Sequence, residues 1–192
     1  MKTDQFHGWQ LLWLLIALTL LASMVPAQSG SDPAVGGDFS LTDHNGQPFR
    51  LSDHRGKVIL LFFGYTSCTE ACPVILGRIN SVFRELGRDS DKALAVFISV
   101  DPKRDTTEVL RDYVRYFSSH TVALTGTKDE LDAVVRQYGA RYEIEKSASA
   151  LGYHVNHTTE INLIDRHGTL QERFKHTDRA AAMAASVKRL LR

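Results

Sequence analysis

The feature that most constrains the fold is a continuous apolar run, residues 58–63, which leads directly into a stretch that holds both cysteines of the chain. An unbroken apolar strand of this kind is typical of the middle of an α/β sheet, where helices cover both faces. Cys68 and Cys72 follow, separated by three residues, and an amphipathic run over residues 74–86 comes next. The sequence therefore predicts a strand that turns into the start of a helix and holds two thiols there.

That location favours thiol chemistry or the capture of a soft metal ion. A helix N-terminus offers unpaired N–H groups and a partial positive charge, and both stabilise a thiolate. Pro73 suits the first helical turn, where its missing N–H costs nothing. In a helical segment, Cys68 and Cys72 would have α-carbons about 6 Å apart, close enough for a disulfide or for one shared ion.

The rest of the chain alternates strand and helix signals. A hairpin is predicted over residues 39–51 around Asn45-Gly46, and a late hairpin over residues 161–174. Between them we predict strands at 94–100 and 122–124 and helices near 106–117 and 131–138; a last helix is predicted over 179–191. This order predicts an α/β mixed sheet of the thioredoxin-like kind, with an N-terminal β-hairpin extension and a late hairpin insertion.

The N-terminal segment determines the expected compartment. Residues 11–25 are almost wholly apolar and follow Lys2, but fifteen helical residues span only about 22 Å of a roughly 30 Å hydrocarbon core. Val25-Pro26-Ala27 also resembles a signal-peptide cleavage site. We therefore expect residues 1–27 to be either a signal peptide or a membrane anchor, 28–37 a linker and 38–192 the domain. Either way the domain is exported, to the periplasm in a bacterium.

Charge and cysteine content exclude several functions. The net charge is +1 without a basic block, so nothing indicates nucleic-acid binding. Two cysteines are too few for a disulfide scaffold.

Three thiol-based interpretations compete with metal binding. A thioredoxin-type oxidoreductase usually has two residues between its cysteines and a cis-proline at a later strand, but no proline follows Pro102. A peroxiredoxin-like peroxidase has a proline where Gly64 and Tyr65 stand, although Thr66 lies near the expected threonine. A purely structural disulfide between Cys68 and Cys72 is the third interpretation.

The metal hypothesis needs further ligands. Two thiolates suit Cu(I) above other ions, with histidine as the usual third ligand. Zinc would need four ligands, and no second pair has the usual spacing. His154 and His157 precede the late strand that a thioredoxin-like fold brings over the cysteines, and spacing alone leaves both open.

Several segments together resemble the Sco/SenC family, exported thioredoxin-like copper proteins that serve the assembly of cytochrome c oxidase. The resemblance covers most of the chain after the linker. It is carried by Phe39-Ser40-Leu41-Thr42-Asp43 with Gly46, Gly56-Lys57-Val58, Phe62-Phe63-Gly64-Tyr65-Thr66, Cys68 and Cys72-Pro73, Phe97-Ile98-Ser99-Val100-Asp101-Pro102 with Arg104-Asp105-Thr106, Leu124-Thr125-Gly126, Tyr153 with His157, and Leu163-Ile164-Asp165 with Gly168.

The resemblance implies that Cys68, Cys72 and His157 are the copper ligands, in preference to His154. The chain departs from the family pattern where Thr69 and Glu70 replace Pro and Asp, and where Asn156 replaces the Asp before the histidine. We expect the missing carboxylate at Asn156 to affect partner docking or the balance of Cu(II) against Cu(I).

The resemblance implies a metallochaperone, not an enzyme, which passes Cu(I) or Cu(II) to the binuclear copper site of cytochrome c oxidase. Its expected partners are the copper-bearing oxidase subunit, other periplasmic copper chaperones and thioredoxin-like reductants, with a membrane contact if the N-terminal segment is uncleaved. The alternative is a thiol-disulfide reductase that uses Cys68 and Cys72 to keep the subunit's cysteines reduced and does not need His157. A redox or copper sensor without a delivery role is a third hypothesis.

Overall fold

A computed structural model of the protein describes residues 35–117, 119–147 and 152–192. The predicted signal or anchor segment, residues 1–27, and most of the predicted linker lie outside this range. Among the described residues, no helix is both long and apolar enough to cross a membrane.

Strands and helices alternate along the described residues nearly as predicted. In chain order they are β1 (Ser40–Asp43), β2 (Pro48–Arg50), β3 (Val58–Gly64), α1 (Ala71–Leu86), β4 (Ala93–Ser99), α2 (Thr107–Val114), β5 (Thr121–Thr125), α3 (Lys128–Gln137), β6 (Tyr142–Lys146), β7 (Tyr153–His157), β8 (Ile161–Ile164), β9 (Leu170–Phe174) and α4 (Ala180–Leu190). Short 3₁₀ helices, Leu51–His54 and Gly87–Lys92, follow β2 and α1.

Seven strands form one mixed sheet in the order β2-β1-β5-β4-β3-β8-β9. β3, β4 and β5 run parallel at its centre. The two hairpins, β1–β2 and β8–β9, extend it with antiparallel strands at either edge. Every residue of β3 is buried, which is the physical reason for its unbroken apolar sequence. The predicted α/β mixed sheet is confirmed.

Helices cover both faces of this sheet. Leu60 and Phe62 of β3 belong to a core shared with α1, α2 and α4. Leu61 and Phe63 belong to a second core shared with α3 and the first hairpin. Successive side chains of a strand point to opposite faces, so one apolar run serves both cores.

The turn of the first hairpin has the chemistry that Asn45-Gly46 predicts. Gly46 has φ +77°, a conformation that glycine adopts without a steric penalty. The Asp43 carboxylate accepts hydrogen bonds from the N–H groups of Asn45 and Gln47, both at 2.8 Å. The predicted hairpin is therefore confirmed.

The strands β6 and β7 were not predicted. They form a separate two-stranded antiparallel sheet, in which Tyr142 faces His157 and Lys146 faces Tyr153. β7 matters for function because it carries both His154 and His157.

Candidate metal centre

The two cysteines lie where β3 turns into α1, as predicted. Cys68 lies in the turn itself and is half-buried, and its N–H donates to the carbonyl of Tyr65 at 3.2 Å. Cys72 lies in the first turn of α1 and is completely buried. Both are free thiols. The half-buried Cys68 and the fully buried Cys72 therefore differ in their accessibility to an incoming partner.

Gly64, the last residue of β3, leaves the space that the Cys72 sulfur occupies. A β-carbon at Gly64 would lie 2.5 Å from Cys72 Sγ and 2.9 Å from Cε2 of Phe97. Both distances are shorter than van der Waals contact allows. The close approach of sulfur to backbone at this point therefore requires glycine.

A buried carboxylate, Asp105, holds the turn that bears Cys68. Its oxygens accept hydrogen bonds from the N–H of Thr66 at 3.0 Å, from the Thr66 hydroxyl at 2.6 Å and from the Ser99 hydroxyl at 2.6 Å. Burial raises the pKa of Asp105, and the bonds from Ser99 and Thr66 oppose that rise. These bonds tie the turn that bears Cys68 to the end of β4.

His157, the last residue of β7, brings its imidazole to the cysteines. Its Nε2 lies 3.6 Å from Cys72 Sγ. Its Nδ1 lies 3.0 Å from the carbonyl oxygen of Thr158, and because a carbonyl only accepts, Nδ1 carries the proton. In the neutral ring, Nε2 then keeps a free lone pair that faces the sulfurs, which is the tautomer a metal ligand needs.

Cys68, Cys72 and His157 form the one group of three or more potential ligand side chains found among the described residues. One ligand atom from each lies within 4.8 Å of the other two. Two sulfurs and one imidazole nitrogen make a soft donor set that fits copper. A structural zinc site would need a fourth protein ligand, and among the described residues no fourth potential ligand joins this group.

The two thiols differ in acidity. A hydrogen bond from Cys72 lowers the pKa of Cys68 to about 3, although burial opposes that change. The same bond, together with burial, raises the pKa of Cys72. The metal-free pair therefore holds a thiolate at Cys68 and a thiol at Cys72, and a metal ion that binds both sulfurs displaces that proton.

His154 lies on the opposite side of β7 from His157. Tyr153, Val155 and His157 alternate with His154 and Asn156, and Val155 is buried whereas His154 and Asn156 are exposed. Nε2 of His154 is 2.9 Å from a carboxylate oxygen of Glu145 on β6. The structure therefore brings His157, and not His154, to the cysteines.

A depression of about 330 Å³ opens onto the site, and its lining includes Cys68 and His157. Thr69, Glu70 and Asn156 also line it. These are the three positions at which the sequence departs from the Sco/SenC pattern. The departures therefore lie at the mouth of the site, outside the group of three potential ligand side chains.

A polar turn beside the site, Asp101–Asp105, contacts Tyr153 of β7, which was not predicted from the sequence. Tyr153 donates its hydroxyl to Asp101 at 2.7 Å, and Arg104 stacks on the Tyr153 ring. The order of the strands could have indicated part of this arrangement, because parallel strands end at the same edge of a sheet. β3 and β4 pair in register as far as Gly64 and Ser99, so the residues that follow each strand must meet.

Solved structures of other proteins resemble this one closely. The structure of Bradyrhizobium japonicum ScoI with copper bound matches with a TM-score of 0.76 and 38% identity, over 82% of this chain and 100% of that one. Yeast Sco1 with copper bound matches with a TM-score of 0.74 and 25% identity, over 82% of this chain and 88% of that one.

Mouse "Protein SCO1 homolog, mitochondrial" is 38% identical over 157 residues, which cover 81% of this chain and 55% of the mouse protein. The chain thus spans about half the length of this relative.

Fold and site together define a thioredoxin-like α/β protein with two thiols and an imidazole at the carboxyl end of its central strands. The chain belongs to the SCO1/SenC family, whose sequence model matches residues 27–192. The predictions of the fold class and of the family are both confirmed.

Proposed function

We propose that this protein is an exported copper metallochaperone that delivers copper to the binuclear copper site of a cytochrome c oxidase subunit. The observation that carries the proposal is the convergence of Cys68, Cys72 and His157 on one point. Two thiolates and an imidazole suit copper. The copper-bound structures of Bradyrhizobium japonicum ScoI and yeast Sco1 support copper as the ion.

The geometry suits transfer by ligand exchange. Cys72 is completely buried, whereas Cys68 and His157 are partly exposed at the mouth of the site. An incoming ligand from a partner can therefore replace Cys68 or His157 while Cys72 still holds the ion. Copper is the cargo, and no turnover is required.

A thiol-disulfide reductase is the second candidate, and the unequal thiols favour it. The Cys68 thiolate would attack the subunit's disulfide and release one subunit thiolate, which leaves a mixed disulfide. Cys72 would then lose its proton and attack Cys68, which releases the second subunit thiolate and forms a Cys68–Cys72 disulfide. Two electrons pass to the subunit, and His157 takes no part.

A matched pair of histidine variants tests the leading proposal. We expect the reduced wild-type protein to bind one copper ion. His157→Ala removes a ligand, so it should weaken Cu(II) binding at least as much as loss of an outer-shell partner does, about 10- to 100-fold. His154→Ala changes a histidine three positions earlier on the same strand. It should leave copper affinity unchanged because His154 lies on the opposite side of β7. Equilibrium titration with each oxidation state measures both.

Three results would count against the metallochaperone. The reduced wild-type protein could bind no copper, His157→Ala could leave Cu(II) affinity and its spectrum unchanged, or His154→Ala could cost as much as His157→Ala. Transfer is measured by mixing the copper-loaded protein with the metal-free copper domain of an oxidase subunit. The reductase instead predicts that the metal-free dithiol reduces that domain's disulfide, with His157→Ala at the wild-type rate.

Export is part of the same proposal and is supported by the apolar residues 11–25 that follow Lys2. We propose residues 1–27 as a signal peptide or anchor, 28–37 as a linker and 38–192 as the copper-binding domain. Mass spectrometry of the mature N-terminus distinguishes cleavage after Ala27 from a retained anchor. An unprocessed protein found in the cytoplasm would contradict export.

A further inference from the structure

The position of His157 depends on what holds β7, because among the described strands β7 pairs only with β6. These two strands form a sheet of their own, separate from the seven-stranded sheet. An isolated two-stranded hairpin is at best marginally stable in water. Contacts between the hairpin and the rest of the domain must therefore keep the imidazole at the cysteines.

Arg104 makes several of these contacts. Its guanidinium lies 3.7 Å from the centroid of the Tyr153 ring, and its Nη1 donates to the Tyr153 carbonyl at 3.0 Å. Its Nε forms an ion pair with Asp101. The Tyr153 hydroxyl donates to the same carboxylate at 2.7 Å. Arg104, Asp101 and Tyr153 thus form a closed ring of contacts at the start of β7.

This ring is largely shielded from water. The side chain of Arg104 is 19% exposed and that of Asp101 only 2%. Charge-assisted hydrogen bonds and cation–π contacts are stronger where water is excluded. The ring can therefore fix one strand position firmly, as a pair of exposed charges could not.

Arg104 also faces the cysteine turn through Tyr65. Its guanidinium lies 5.4 Å from the centroid of the Tyr65 ring. The Tyr65 hydroxyl accepts a hydrogen bond from the N–H of Val155 at 3.3 Å, and the Tyr65 ring meets the His157 imidazole edge-on, with centroids 5.7 Å apart. Arg104 therefore lies between the two aromatic rings that connect the cysteine turn to β7.

We propose that Arg104 is a positioning residue that fixes β7, and thereby His157, against the two cysteines without touching the metal. The copper part of this inference rests on the proposed function, whereas the anchoring of β7 does not. Cu(II) depends more on nitrogen ligands, whereas the two thiolates hold Cu(I). Loss of Arg104 should therefore weaken Cu(II) binding more than Cu(I) binding.

A double-mutant cycle separates positioning from a general effect on folding. Arg104→Met keeps an unbranched side chain but removes the charge, the ring stacking and the donors. We expect it to weaken Cu(II) binding about 10- to 100-fold, as loss of an outer-shell partner does, and to change the Cu(II)–thiolate absorption. In the His157→Ala background, we expect Arg104→Met to change Cu(II) affinity by no more than about twofold.

Two further variants serve as controls. Arg104→Lys keeps the charge but loses the planar fork, so it should restore only part of the affinity. It also carries the test if Arg104→Met does not fold. Arg111, a partly buried arginine of α2, donates to the carbonyl of His44 in the turn of the first hairpin, at 3.2 Å. Arg111→Met should leave the copper affinity and spectrum unchanged.

Hydrogen exchange in the metal-free protein tests the anchoring without copper. Arg104→Met should speed exchange of the Val155 amide about tenfold while leaving a central amide such as that of Leu60 protected. His157→Ala should leave Val155 unchanged. Equal losses of Cu(II) affinity with and without His157, or unchanged exchange at Val155, would overturn the inference. If the wild-type protein binds no copper, the proposed function fails, and the exchange measurement still decides whether Arg104 anchors β7.

Discussion

The two halves of the candidate site are held by different physical means. The cysteine half lies between β3, in which every residue is buried, and α1, whose inner face is part of the main core. The histidine half lies on β7, where only Val155 is fully buried. Packing of apolar side chains and the buried Asp105 hydrogen bonds hold the cysteine half, whereas β7 contacts the domain mainly through polar side chains near the surface.

One short turn, Asp101–Asp105, makes hydrogen bonds with both halves. Asp105 accepts the hydrogen bonds of Thr66 in the cysteine turn, and Asp101 accepts that of Tyr153 on β7. Changes in the cysteine half should therefore cost folding free energy. Changes in the histidine half should alter metal binding and local opening while the fold persists.

The largest loss of stability is expected for Gly64→Ala. The added β-carbon would overlap Cys72 Sγ and the Phe97 ring, and neither can move freely within the packed core. Overpacking of this kind costs about 3 kcal/mol of unfolding free energy. Denaturant unfolding measures it.

Gly77, an exposed glycine within α1, supplies the matched control. A β-carbon there meets nothing within 4 Å. Gly77→Ala should therefore stabilise the protein by about 0.5–1 kcal/mol, the difference in helix propensity. If Gly64→Ala were as well tolerated as Gly77→Ala, the cysteine half would not be the tightly packed half.

Asp105→Ala should have the next largest effect. It leaves the Thr66 N–H and two hydroxyls without their acceptor in a buried site, which costs about 2 kcal/mol of unfolding free energy. Asp43→Ala is the control, because Asp43 also accepts two N–H bonds but in a solvated turn, where their loss costs about 1 kcal/mol or less. Thermal unfolding of both variants measures the difference. Equal losses would contradict a special role for the buried carboxylate.

The difference between the halves also explains what could be predicted from sequence. Burial produces periodic apolar patterns, so β3, α1 and the turn with Cys68 and Cys72 were predictable. β6 and β7 bury little, and Ile144 on β6 is 53% exposed. Their mixed polar sequences carry no burial signal, so the strand that bears His157 was not predicted.

The choice of His157 came from the family resemblance, and the contacts of Arg104 were not foreseen at all. Alternation along β7 would have separated His157 from His154, but only once β7 was known to be a strand. Arg104 reaches Tyr153 across 49 positions of sequence. Contacts at that separation depend on the completed fold and leave no local pattern.

The smallest loss of unfolding free energy is expected for a change at Asn156, at the mouth of the site. The side-chain amide of Asn156 donates to Glu145, and the other oxygen of Glu145 bonds His154 at 2.9 Å. A carboxylate thus lies beside Asn156 even though the family's aspartate is absent from that position. Asn156→Asp would add a carboxylate beside those of Glu145 and of Glu143, its register partner on β6, at a cost of about 0.5 kcal/mol.

Because the repulsion is exposed, this loss should shrink at high salt. Adding Glu145→Gln to Asn156→Asp should restore part of the wild-type unfolding free energy, since it removes one of the two glutamate charges beside residue 156. Denaturant unfolding at low and high salt measures each step.

If the inference about Arg104 is right, the surface bonds of Glu145 contribute little to holding His157, so Cu(II) affinity should change far less than in Arg104→Met. A loss in Asn156→Asp as large as that in Asp105→Ala would mean that the hairpin's own surface bonds hold the imidazole in place, and the contrast between the two halves would not stand.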